Sequence, residues 1–360
     1  MTERRRRVTQ AEVARLAGVS QAMVSLVLNG SDGVRVAPQT RKRVEEALRQ
    51  TGYTVDIMGR RLRGKSNQIL GVFTYESVFP SGSADFYGPF LGGIEEESEA
   101  QGFDLLLFTS PGRRQGRRKV YEQGSNRLGI ADGCILLGRH TDRAELDRLV
   151  DERFPFVFIG RRESSAGPVS YVGADYAAAT AALYDRMWAL GHRTVALVGY
   201  REESESTADR RAGYLAAARR HRKTPLALTD DDPSSVFDRL RADGVTAALV
   251  ETTEMASALR ALYVRAGLAV PADLSIGVLG DTDPTQTSAW PRHAAAEADD
   301  WTTFRIPRRE MGARAVRMLV GMLRGEMEPG RGTQVLLPCD LVDGATTTPP
   351  PARARVRGRR

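Results

Sequence analysis

Four residues on one short segment, Gln21, Ala22, Ser25 and Leu26, have the types and spacing to read nucleic-acid bases. Gln21/Ser25 and Ala22/Leu26 are i, i+4 pairs, so a helix here carries all four on one outward face near its start. A Gln amide so placed pairs with a base edge in the major groove, and Ala or Leu touches a thymine methyl. Catalytic chemistry is not legible in the chain. It has no Walker or GxGxxG phosphate loop, and its four His, at 140, 192, 221 and 293, lack metal-ligand spacing. Cys134 and Cys339 stand far apart without a CxxC, which reads them as small core residues of a reduced protein. His192 lies in a Gly-His-Arg turn before an apolar run and reads as structural. No cofactor or metal is expected.

The elements around the base-reading face follow from local signals. Thr9 and Glu12 have capping-box spacing. Val13, Leu16 and Ala17 then recur at helical spacing and are expected to form a buried stripe. Gly18-Val19 breaks that helix, and Ser20 caps a second one running to about Leu28, with Val24, Val27 and Leu28 turned inward. Pro38 suits the first turn of a third helix that buries Val44, Ala47 and Leu48 and stops at Gly52. Two short helices joined by a Gly turn, completed by a third, make a helix-turn-helix unit. By helix pattern alone, a generic three-helix bundle is the rival.

Charge is segregated. Residues 1–66 carry 14 Lys/Arg against 6 Asp/Glu (+8), and residues 349–360 carry five Arg and no acid (+5), so within a net +7 the stretch between holds −6. A basic head on an acidic body suggests that the head meets a polyanion; a merely solvated surface is the other reading of the charge. No apolar run approaches a membrane span, and no secretory signal is read at the N-terminus, so the expected location is cytoplasmic and nucleoid-associated.

From Gln68 the pattern changes to strand-sized apolar runs alternating with helical segments, the sign of parallel α/β structure. Expected strands are 69–74, 104–109, 133–138 and 155–160, then 194–199, 247–251 and 275–280. Expected helices are 89–101, 176–190, 208–221 and 254–266. Two such lobes form a cleft, and ligands bind at the C-terminal ends of their strands. Residues 349–360, three Pro followed by Arg-rich sequence, read as a disordered tail.

These residues resemble a known family. The run from Val8 to Gly30 (VTQAEVARLAGVSQAMVSLVLNG), with VAPQTR at 36–41, Gly52-Tyr53 and GRRLR at 59–63, is similar to the head of the lactose-repressor (LacI/GalR) family nearly position for position. More weakly, ALGHRTVALVG at 189–199, DRRAGY at 209–214 and LLPCDLV at 336–342 resemble a family strand, an effector-reaching helix and the closing strand. The resemblance implies an all-α helix-turn-helix head (1–54), a hinge helix and linker (55–67), a two-lobed, periplasmic-binding-protein-like core of parallel βαβ sheets (68–348) and the basic tail (349–360). It also implies a return to the first lobe near 303–324. It assigns base reading to Gln21, Ala22 and Leu26 and phosphate contacts to Thr9, Ser20, Ser25 and Asn29. Many family members carry Arg at position 26. Leu26 cannot grip a guanine bidentately, so the half-site should differ. The hinge implied for 56–63 would form on DNA, pair with its twin and wedge Leu62 into the minor groove; an ordinary charged linker is the alternative.

For the cleft the resemblance points to Phe86 and Tyr87 as aromatics beside a ligand, to Arg210 as the effector-binding Arg, and to Asp281 as half of a usual carboxylate pair whose other half is Gly280. Thr252-Thr253 replaces an Asn-Asp, and Gly160 stands where a polar contact is common, which puts a plain sugar site in doubt. Ordinary lobe core is the other reading of Phe86 and Tyr87. Trp290 and Trp301, in a segment longer than usual, either line the cleft or sit in a surface loop. The implied protein is a transcriptional regulator, a repressor rather than an enzyme. Its expected partners are double-stranded operator DNA, read as a palindrome, a small-molecule effector (a sugar or related metabolite), and itself as a homodimer, with a tetramer the alternative. A doubly wound enzyme and a transporter's solute-binding protein are the rivals.

Overall fold

The computed structural model describes residues 8–29, 36–53, 66–76, 86–109, 118–138, 141–201, 204–280, 300–327 and 332–351. The chain divides into two compact units, Met1–Asn67 and Gln68–Arg360.

The first unit contains α1 (Gln10–Ala17), α2 (Gln21–Asn29) and α3 (Pro38–Thr51). The capping box forms: the Glu12 amide donates to Thr9 Oγ1 at 3.4 Å, and the Thr9 amide donates to Glu12 Oε2 at 2.7 Å. Gly18 ends α1 in the left-handed region at φ 63°, which a β-carbon would strain. The helix direction changes by 103° between α1 and α2. Ser20 caps α2, its Oγ accepting from the Met23 amide at 3.2 Å. Val13, Ala14, Ala17, Val24, Val44 and Ala47 close the core, with Val27, Leu28, Leu48 and Tyr53 packed against it. Leu16 does not join this stripe as expected; it is 52% exposed. At 100° per residue the direction of the stripe is set by Val13, Ala17 and Ala14, and Leu16 points roughly 100° away from its centre.

The second unit is α/β. Its first lobe carries β1 (Ile69–Thr74), β2 (Asp104–Phe108), β5 (Gly133–Leu137), β6 (Phe156–Ile159), β7 (Tyr171–Ala174) and β13 (Gln334–Leu337), in the all-parallel order β13-β7-β6-β5-β1-β2. A small hairpin, β3 (Tyr121–Glu122) and β4 (Ser125–Asn126), precedes β5. The strands read as continuous apolar runs because both faces are covered. Leu70, Val72, Ile135 and Val157 meet Ile94 of α4 (Gly88–Gln101) and Leu319 of α10 (Arg308–Leu323). Phe73, Cys134, Leu136 and Phe158 meet Leu146 and Leu149 of α5 (Arg143–Asp151). Helices α4 and α10 approach so closely that a Cβ on Gly93 would stand 1.9 Å from the Arg309 carbonyl oxygen.

The second lobe carries β8 (Val195–Val198), β9 (Leu226–Leu228), β10 (Ala247–Val250), β11 (Ser275–Val278), β12 (Thr302–Arg305) and β14 (Asp340–Val342), in the order β14-β12-β11-β10-β8-β9. Only the β12–β14 pair is antiparallel among these. Helices α6 (Tyr176–Ala189) and α7 (Glu205–Arg220) cover one face, α8 (Pro233–Ala242) and α9 (Thr253–Arg265) the other. Helix α7 begins three residues before the expected 208, because Ser204 caps it by accepting from the Thr207 amide at 3.2 Å.

The closing segment differs from the single expected strand. It is two strands, β13 in the first lobe and β14 in the second, parted by Pro338-Cys339. Likewise the return to the first lobe starts at α10, since residues 302–305 still pair in the second-lobe sheet. Beyond β14 the chain straps the second lobe. The Ile276 amide donates to the Thr346 carbonyl at 2.8 Å, Ser275 Oγ donates to Thr348 O at 3.0 Å, and a proline ring, Pro350, packs by Gly191. Residues 352–360 of the basic tail lie outside the described residues.

Candidate functional site

The head presents its face at the start of α2. Gln21 and Ala22 are exposed, and Ser25 and Leu26 are half-buried beside them. Val24, one position away, is fully buried and fixes the helix rotation that turns the four outward. Thr9 and Ser20 both sit at helix N-termini as caps, where unpaired amides and the helix dipole favour an anion such as phosphate. Of Asn29 only the backbone is described. Leu62, the hinge and Asp281 lie outside the described residues.

In the core, a cleft of about 980 Å³, counting its open mouth, lies between the lobes at the C-terminal ends of the strands. Phe86 and Tyr87 line it from the start of α4, ring centroids 5.1 Å apart and edge-on, with Phe90 behind. Tyr176 and Tyr200 add two rings from the second lobe. Tyr87 is buried and donates to Glu76 Oε2 at 3.1 Å, so it serves both as lobe core and as cleft wall.

Arg210, on α7, faces this cleft. Its Nε donates to the Leu279 carbonyl at 2.9 Å, its Nη1 lies 3.3 Å from Glu251 Oε1, and its guanidinium stacks 4.2 Å over the Tyr176 ring. Glu251 is buried and accepts also from the Tyr200 amide (3.1 Å) and Thr207 Oγ1 (2.7 Å). A Cβ on Gly280 would stand 2.9 Å from Arg210 Nη2, so the glycine at that strand end leaves room for the guanidinium. Thr252 is buried at the cleft wall, where it caps α9 and shares a 3.2 Å hydrogen bond with the Tyr200 hydroxyl. Trp301 is not in the cleft lining; it is buried in the second lobe with Arg260 over its ring at 5.3 Å. Trp290 is outside the described residues.

Tyr176, Tyr200 and Glu251 were not singled out from the sequence, nor were two cleft arginines. Arg161 and Arg162 follow β6 and meet α7 of the other lobe: Arg161 Nε donates to Asp209 Oδ2 at 3.0 Å, and Arg162 Nη1 lies 3.5 Å from Glu205 Oε2. Burial works against the charge on both. It pulls Arg162 down from its ordinary pKa; at Arg161 burial is again the largest single effect, but the bonds and charges of Asp209 and Glu163 together outweigh it and raise the pKa. The available signal was their position just past an apolar strand, where an α/β crevice collects its polar groups. Cys339, at the β13–β14 crossover, is a free thiol pushed up to about 11 by burial. His192 is buried, Nδ1 2.9 Å from Thr246 Oγ1 and Nε2 2.9 Å from the Thr348 carbonyl, and burial lowers its pKa. These contacts make it a tie between strand ends and the C-terminal strap. Among the described residues no helix is by itself long and apolar enough to cross a membrane.

Comparison with known proteins matches both units. Residues 9–56 match the family of bacterial regulatory proteins of the lacI type. Residues 75–242 match the periplasmic binding proteins and sugar binding domain of the LacI family, and 184–347 a periplasmic binding protein-like domain. The chain is 30% identical over 342 residues to the HTH-type transcriptional regulator CelR of Thermobifida fusca, covering 91% of this chain and 96% of that one. It is 29% identical to catabolite control protein A of Priestia megaterium, over 89% of this chain and 93% of the relative. Among solved structures, the Lac repressor dimer bound to operator and the anti-inducer ONPF aligns with a TM-score of 0.65 at 23% identity, over 95% of this chain and all of that one. A CelR–cellobiose complex aligns at 0.57 and 24%, over 94% and 100%. With a helix-turn-helix head, two parallel α/β lobes and a full-length relative at this identity, the chain belongs to the LacI family of transcriptional regulators.

Proposed function

We propose that this regulator is a repressor that binds a near-palindromic operator as a homodimer and is controlled by a small carbohydrate or related metabolite held in the interlobe cleft. The observation that carries the DNA half is the exposed start of α2. There Gln21 and Ala22 stand free for base edges while Thr9 and Ser20 place helix N-termini for the flanking phosphates. One head spans about half a site, so a two-fold pair reads a palindrome. Ser25 and Leu26 extend the base-facing surface, Asn29 reaches phosphate, and Leu62 wedges the minor groove once the hinge pairs with its twin. The effector half rests on the ring-lined cleft with Arg210 and Thr252 at its wall and on the cellobiose that the related CelR structure holds; Asp281 joins it only by the family resemblance. The protein works in the cytoplasm, on the nucleoid.

The test is selection of bound duplexes from a random pool, followed by titration of sugars, nucleosides and purines against the selected operator complex. A palindrome bound by a dimer, and released or tightened by one ligand without turnover of that ligand, supports the reading. Tight binding of a monomer to an unrepeated half-site, or a ligand that is consumed, refutes it.

A further inference from the structure

We propose that Arg161–Asp209 and Arg162–Glu205 form an interlobe clasp that sets how far the cleft stands open. Arg161 and Arg162 are adjacent in the first lobe, just past β6; Glu205 and Asp209 are one helical turn apart at the start of α7 in the second. Residues i and i+4 share a helix face, so the two acids present together to the two guanidinium groups. Arg161 grips Asp209 with two nitrogens, Nε to Oδ2 at 3.0 Å and Nη2 to Oδ1 at 2.9 Å, and its Nη2 also reaches the Glu205 carbonyl at 3.4 Å. Arg162 Nη1 lies 3.5 Å from Glu205 Oε2.

The clasp is asymmetric. Arg162 is held to its own lobe by Nε to Thr141 Oγ1 (2.9 Å), by Nη1 to the Arg161 carbonyl (2.7 Å) and by a short bond to the Gly138 carbonyl, and its guanidinium stacks 4.4 Å over the Phe158 ring. Arg161 has Glu163 on its own side. When the lobes part, the arginines stay with the first lobe and the acid contacts are the ones that break. The Arg210–Glu251 pair lies wholly within the second lobe and offers no resistance to opening. Side chains of Arg161 and Asp209 are each 23% exposed, and those of Arg162 and Glu205 are 9% and 19%. Solvent therefore screens these pairs less than surface ones. The preformed guanidinium pair lowers the entropy lost each time the clasp shuts. The clasp belongs to the core alone, and its test needs neither DNA nor effector.

Spin labels at the exposed positions Asp151 and Ala242, one in each lobe, report the interlobe distance in a full-length chain with both native cysteines replaced. Dilution with unlabelled protein isolates distances within one chain. The expected result for Glu205→Gln/Asp209→Asn is at least a tenfold rise in the ratio of open to closed distances in a protein that still unfolds cooperatively, its melting temperature lowered by roughly 2–5 °C, with Glu205→Gln alone giving a smaller rise. The exchanged pair Arg161→Asp/Asp209→Arg should return the distribution toward wild type. An unaltered distance distribution in the folded neutral variant overturns the proposal. So does an exchanged variant that melts like wild type yet keeps the distribution of the neutral one.

Discussion

Replacing Arg210 by Ala probes the cleft wall through quantities that its contacts define. The change removes a hydrogen bond to the Leu279 carbonyl, a 3.3 Å ion pair to Glu251 and a guanidinium stacked on Tyr176. Removing one partner of a buried ion pair costs about 3–5 kcal/mol, because the other charge is left without compensation. Here the loss is smaller. Glu251 keeps two donors, the Tyr200 amide and Thr207 Oγ1, and the cleft admits water to the vacated side. A loss of about 2–3 kcal/mol is therefore expected, which lowers the melting temperature by roughly 5–10 °C for a core of this size. Thermal unfolding followed by circular dichroism reads it. Adding Glu251→Ala to Arg210→Ala should restore part of the loss, since the stranded carboxylate goes with it. Below the melting transition Arg210→Ala should hold operator as tightly as wild type and lose its response to effector. A variant melting within about 1 °C of wild type, or a double variant whose loss equals the sum of the singles, refutes the pairing argument. Loss of operator binding with a normal ligand response places Arg210 in the wrong function.

Four further outcomes follow from other parts of the chain. Leu26→Arg should shift the selected operator toward a guanine at one position per half-site, by about 1–3 kcal/mol of discrimination, and Gln21→Ala should relax one position by a similar amount; an unchanged selected sequence in both counts against the α2 face. Leu62→Ala should lower operator affinity while affinity for random duplex stays nearly constant, and an equal operator-to-random ratio in the two proteins leaves the hinge a mere tether. Burial holds the His192 pKa below its ordinary value, so the unfolded chain takes up a proton that the folded one refuses: this contribution to stability is intact above about pH 6.5 and is lost as pH falls below it. Melting between pH 7.5 and 5.5 should accordingly fall less steeply in His192→Gln, and parallel slopes in the two proteins discount the tie. Deleting residues 352–360, which carry five arginines and one large apolar residue, Val356, should weaken operator and random DNA alike and flatten the salt dependence, whereas a loss confined to operator assigns sequence reading to the tail.

The head was legible because its signals are local. A Thr and a Glu three residues apart, a Gly with φ 63° and a Pro in a first turn each state their own geometry, and nothing distant overrides them. Leu16 is the exception: spacing alone admitted it to the stripe, but the side of α1 that is buried was decided by α2 and α3 packing over Ala14 and Ala17. The core strands were legible for the opposite reason. Covered on both faces, β5, β6, β8 and β10 are apolar throughout, and β1 and β11 depart from this only at their end residues Thr74 and Ser275, so they need no phase. Strand β7 (Tyr-Val-Gly-Ala) and helix α8, opening Pro-Ser-Ser, are short and lightly apolar, and only the sheet and its neighbours make them regular. Residues 336–342 looked like one strand because sequence cannot say that Pro338-Cys339 carries the chain from one lobe to the other.

The cleft was the least legible part, since its polar partners lie 41 to 48 residues apart. Arg161 and Arg162 look like a solvated pair after a strand until Asp209 and Glu205 arrive on α7. This arrangement constrains what the cleft can recognise. Glu251, Asp209 and Glu205 already answer to Arg210, Arg161 and Arg162, and Glu76 to the Tyr87 hydroxyl. Among the described residues these carboxylates meet a ligand hydroxyl only as already-engaged acceptors, and a guanidinium largely neutralises the charge of Glu251, Asp209 and Glu205. The rings of Phe86, Tyr176 and Tyr200 line the cleft as well; Arg210 covers one face of Tyr176 and Arg308 one face of Phe86, and the rest of their surface is apolar lining. Affinity for an effector should therefore come chiefly from stacking against those rings, and selectivity from whether its hydroxyls fit between charges that are already paired.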